Sequence, residues 1–122
     1  MLPVNCGSHA DYQNLVVENL RKYYPNPDLL ARSTWDIIER FWHLDLSDTD
    51  TLLTHKYSKF GPAPRTPSCM QRSYLLSIDF KVTSLTEWAA QLKMNPLYAI
   101  LSGFEPGNTP GVGTFYDFIN RL

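Results

Sequence analysis

The run Phe60-Gly-Pro-Ala-Pro-Arg-Thr-Pro67 sets three prolines and a glycine into eight residues. No helix interior or central strand tolerates that composition, so the chain must pass through it as an extended connector. Proline and glycine cut the rest of the sequence in the same way. Tyr24-Pro-Asn-Pro27 must stop a helix, because each proline lacks an amide donor and restricts the residue before it. Asn95-Pro96 reads as a cap followed by proline at the first helical position. The stretch 104–113 holds three glycines and two prolines and can be neither helix nor central strand.

Between these stops the apolar spacing is helical. Ser8 is placed to cap a helix carrying Tyr12, Leu15, Val16 and Leu20. A second helix is expected from Pro27 or Asp28, with Leu30, Trp35, Ile38, Phe41 and Trp42 on a broad apolar face. Ser47 and Asp50 resemble a capping box for a short helix through Leu52, Leu53 and Lys56. After the connector, Thr66 as cap and Pro67 open a helix running towards Lys81. Its apolar residues are Met70, Tyr74, Leu75, Ile78 and Phe80, with Cys69 and Leu76 alongside. Ser84-Leu-Thr-Glu87 is a capping box, followed at helical spacing by Leu85, Trp88, Ala89 and Leu92. A helix from Pro96 carries Leu97, Ile100 and Leu101 and ends at Gly103, where a left-handed residue is usual. Thr114 is placed to cap a last helix with Phe115, Phe118, Ile119 and Leu122 at i, i+3, i+4 and i+7. No segment alternates as a strand does. The expected fold is all-α, a single compact domain of about six helices whose C-terminal part is helix-turn-helix-like. Its core should join Trp88, Leu92, Ile100, Leu101, Phe115, Phe118 and Ile119.

Composition agrees with a packed domain of this size. Hydrophobic residues make up 43% of the 122, and sixteen are aromatic, which excludes a chain too polar to offset its ordering entropy. No apolar run approaches the roughly 20 residues that span a bilayer. The opening Met-Leu-Pro-Val-Asn-Cys has neither the basic nor the apolar region of a secretory signal. Cys6 and Cys69 lack metal-ligand spacing and read as reduced thiols, so the expected location is cytoplasmic.

Enzymatic signatures are missing from the sequence. It contains no dinucleotide or phosphate-binding glycine motif, no Gly-x-Ser-x-Gly and no His-Glu-x-x-His. His9, His43 and His55 stand apart from one another. Asp45, Asp48 and Asp50 lack the glycine and distal glutamate of a calcium loop, and helix capping accounts for them better. The stripes Trp35/Trp42 and Phe115/Phe118 read as core rather than as a base-stacking platform.

Charge is more informative. Residues 1–50 carry a net of -4 and residues 51–122 a net of +3, an asymmetry that points to an anionic partner or to two ordinary solvated surfaces. Over 56–81, Lys56, Lys59, Arg65, Arg72 and Lys81 face one acid, Asp79, with Tyr57, Ser58, Thr66, Ser68, Ser73 and Tyr74 among them. Cations interleaved with hydroxyls suit contact with the DNA backbone. On the last helix, Tyr116, Asp117, Asn120 and Arg121 fall opposite the phenylalanines. Asn120 and Arg121 have the side chains that read adenine and guanine edges, although Asp117 on the same face would repel phosphate. A solvated Arg121 favoured by the helix dipole is the other reading.

Four segments in order carry a family likeness: Pro67-Ser-Cys-Met-Gln-Arg-Ser-Tyr-Leu-Leu-Ser, Ser84-Leu-Thr-Glu-Trp-Ala, Asn95-Pro-Leu-Tyr-Ala-Ile-Leu-Ser-Gly-Phe and Gly113-Thr-Phe-Tyr-Asp-Phe-Ile-Asn-Arg-Leu122. Together they resemble the N-terminal domain of bacterial insertion-sequence transposases of the DDE class. The resemblance covers 65–122 as a helical DNA-binding-like domain and makes 1–64 a helical N-terminal extension. It implies binding to double-stranded DNA at the terminal inverted repeats of a mobile element, in the service of DNA transposition and recombination. It also implies a separate RNase H-like domain with two Asp and one Glu around divalent metal such as Mg²⁺. No acid here matches those carboxylates, so no catalytic residue carries over, no cofactor is expected in this chain, and no activity is expected from it alone. A homo-oligomer is compatible with this reading and a membrane partner is not. Two other classes stay open: a helical protein-interaction (dimerisation) module without DNA contact, and a small stand-alone DNA-binding regulator.

Overall fold

A computed structural model of the chain describes residues 9–46, 48–49 and 67–120. Its helices are α1 (His9–Tyr23), a 3-10 turn (Pro27–Leu29), α2 (Arg32–His43), α3 (Pro67–Asp79), α4 (Leu85–Met94), α5 (Pro96–Ser102) and α6 (Val112–Asn120). The described residues contain no strand, and the architecture is all-α.

Local chemistry fixes most of the boundaries. Ser84 Oγ accepts from the Glu87 amide at 3.3 Å and starts α4. Asn95 serves two helices. Its amide donates to the Gln91 carbonyl at 2.9 Å, ending α4, and its Oδ1 accepts from the Leu97 amide at 3.1 Å, opening α5 with Pro96 at the first position. Gly103 stops α5 with a left-handed φ of 99°. The buried Phe104 then folds back, its amide donating to the Ala99 carbonyl at 2.9 Å.

Short α5 is the centre of the packing, touching α1, α2, α3 and α4, while α6 closes against α3 and α4. The core joins Tyr12 and Val16 of α1, Phe41 of α2, Leu76 of α3, Trp88 and Leu92 of α4, Ile100 and Leu101 of α5, and Phe115 and Phe118 of α6. Tyr12 reaches across it to donate to the Leu101 carbonyl at 2.7 Å. Gln13 and Trp42 exchange hydrogen bonds with each other's carbonyls at 3.0 and 3.4 Å and tie α1 to α2. Trp35 and Trp42 are half-buried flanks of the core, and Phe80, Trp88 and Tyr98 form an aromatic cluster with centroids 4.5–6.5 Å apart.

Four expectations are corrected. Helix α2 begins at Arg32 rather than near Pro27. Asn26 instead accepts from Asp28 on its side chain and from Leu29 on its carbonyl, making a tight turn first. Helix α6 begins at Val112, and the Thr114 amide already donates to Gly111, so Thr114 lies within the first turn and is not the cap. Ile119 is 37% exposed and lies outside the core. The fourth correction is the rotation of α3, which turns Tyr74 and Ile78 of its apolar set outward while Met70 is buried and Leu75 and Phe80 pack on the core. Its buried residues are Ser68, Cys69, Met70, Arg72, Ser73, Leu76 and Ser77, while Tyr74 and Ile78 are exposed. Small side chains suit the packing of α3 against α5, and the Ser73 and Ser77 hydroxyls have hydrogen-bond partners. Ser73 Oγ accepts from Trp88 Nε1 at 2.9 Å, and Ser77 Oγ donates to the Tyr74 carbonyl at 2.6 Å. The caps expected at Ser8 and Thr66, the helix through Leu52, Leu53 and Lys56, and the position of Leu122 lie outside the described residues.

Candidate interaction face

The rotation of α3 leaves an apolar surface on its outer side. Ile78 is 58% exposed, and Tyr74 stands one turn before it. Tyr116, 53% exposed, and Ile119 project from α6 beside them. Between α3 and α6 these residues line a groove of about 660 Å³, floored by Ser77 and bounded by Lys81 and the 82–85 segment. A smaller groove of about 290 Å³ lies on the α2 side of α3, lined by Phe41, Leu44, Leu75 and Ile78 and edged by Arg40 and Asp79. Ile78 belongs to both. Of eight large hydrophobic residues exposed among those described, five line these two grooves. Scattered apolar side chains are ordinary on a surface, but contiguous ones mark a contact site.

Lys81 sits at the end of α3 in a conformation that lysine seldom adopts. Its φ is +60°, its amide donates to Ile78 at 3.0 Å, and the Val82 amide donates to Ser77 at 2.9 Å. That is the glycine-type helix stop, built without glycine and at a cost on the order of 1 kcal/mol. Its exposed ammonium group forms no ion pair among the described residues, whereas Arg40 and Asp79 pair at 3.1 Å across the smaller groove.

Of the expected DNA contacts, Arg72, Lys81 and Asn120 lie among the described residues. Lys81 borders the large groove, and Asn120 is exposed one turn beyond Tyr116 on α6. Asp117 is half-buried on the same helix. Arg72, expected on the DNA-facing surface, is corrected: it is 2% exposed. Its guanidinium carbon lies 3.7 Å from the centre of the Tyr12 ring, and its Nη1 donates to Cys69 Sγ at 3.8 Å. A guanidinium enclosed this way cannot reach a phosphate without unpacking α1 from α3. Lys56, Lys59, Arg65 and Arg121 lie outside the described residues. His9 stacks near Tyr12 and His43 meets the edge of Trp42, and no group of three or more metal-ligating side chains occurs among the described residues. No helix among them is long and apolar enough to cross a membrane.

Sequence reading missed Tyr74, Ile78 and Ile119 as surface residues by assigning each to a core stripe. The available signal was the small-residue stripe Cys69, Ser73, Ser77, spaced four apart, which marks the close-packed face of a helix. Comparison with protein families, characterised proteins and solved structures finds no match to this chain.

Proposed function

We propose that this chain is the N-terminal DNA-binding and assembly region of an insertion-sequence transposase, contacting transposon-end DNA in the cytoplasm and lacking catalytic carboxylates of its own. The observation that carries the reading is the agreement between the four family-like segments and the helices. Pro67 begins α3, Ser84 caps α4, Asn95-Pro96 opens α5 and Gly103 ends it, and α6 follows the 104–111 loop. The short α4–α5 junction, where Asn95 ends one helix and caps the next, is in keeping with a helix-turn-helix-like arrangement. In this reading Lys56, Lys59, Arg65, Lys81 and Arg121 attract the phosphate backbone, and the exposed Asn120 faces the duplex. Divalent metal belongs to the catalytic domain of such an enzyme and has no role in this chain.

The test is a fluorescence-anisotropy titration of the chain onto duplex DNA over a salt series. The logarithm of the affinity should fall linearly with the logarithm of the salt concentration. Absence of binding at low salt would refute the reading. A second reading, a protein-interaction module without DNA contact, is favoured by the exposed Tyr74, Ile78, Tyr116 and Ile119, and the same titration separates the two.

A further inference from the structure

We draw no further inference here: the strongest candidate, the apolar groove between α3 and α6 lined by Tyr74, Ile78, Tyr116 and Ile119, carries nothing because nothing in the structure shows what covers it.

Discussion

Replacing Arg72 tests whether its guanidinium is part of the core or of the surface. As a surface cation it would contribute to DNA affinity and nothing to stability. Enclosed between α1 and α3, with its guanidinium carbon 3.7 Å from the Tyr12 ring centre, it is part of the core. Three buried methylenes are worth about 2 kcal/mol, and a desolvated cation–π interaction about 2 more. Removing a buried charge returns part of that sum, because its desolvation cost disappears as well. The net cost of Arg72→Ala should therefore be about 2–3 kcal/mol, read from urea denaturation monitored by circular dichroism. Arg72→Met keeps the volume and drops the charge, so it should cost about 1 kcal/mol or less. Arg72→Lys loses the flat stacking and should fall between them. If Arg72→Ala unfolds within about 0.5 kcal/mol of the wild type, the buried placement is refuted.

Other substitutions probe the remaining elements. Phe118→Ala, at a residue only 3% exposed, should cost about 3–5 kcal/mol, and a loss below about 1 would remove it from the core. Lys81→Gly should raise stability by about 0.5–1 kcal/mol by relieving the left-handed φ, a gain that urea denaturation detects. Asn95→Ala removes the α5 cap and the acceptor of the Tyr24 hydroxyl at 3.4 Å. It should cost about 1 kcal/mol or more, whereas Tyr24→Phe should cost about 0.5, by the same measurement.

The elements that sequence anticipated are those decided by near neighbours. Ser84, Asn95 and Gly103 act within four residues of themselves, so their caps and stop are visible in the chain and recur in the structure. The same holds for the helical periods that place Trp88, Ile100 and Phe115 inside. Helix α3 defeats a reading by hydrophobicity because its inward face depends on α5. Hydrophobicity ranks Tyr74 and Ile78 above Ser73 and Ser77, but packing against α5 favours small side chains, and Trp88 supplies the donor for the Ser73 hydroxyl. The helix stop at Lys81 is unreadable for a related reason: it uses a glycine conformation without glycine. Arg72 misleads because charge alone assigns arginine to the surface, whereas its long stem and flat head suit a slot above an aromatic ring. The exposed face is hidden from the sequence for the same cause, since Tyr74, Ile78 and Ile119 have the hydrophobicity and spacing of core residues and lie outside it.

The proposed function depends on which cations meet DNA, and one comparison tests it directly. The salt dependence of duplex binding is measured for the wild type, for Arg72→Met and for the double variant Lys59→Ala/Arg65→Ala. Binding through Lys59 and Arg65 predicts an unchanged slope for Arg72→Met. It predicts a slope lower by about 1 for each phosphate that the double variant no longer neutralises, with affinity reduced alike on all sequences. A lowered slope in Arg72→Met, or an unchanged one in the double variant, would contradict it.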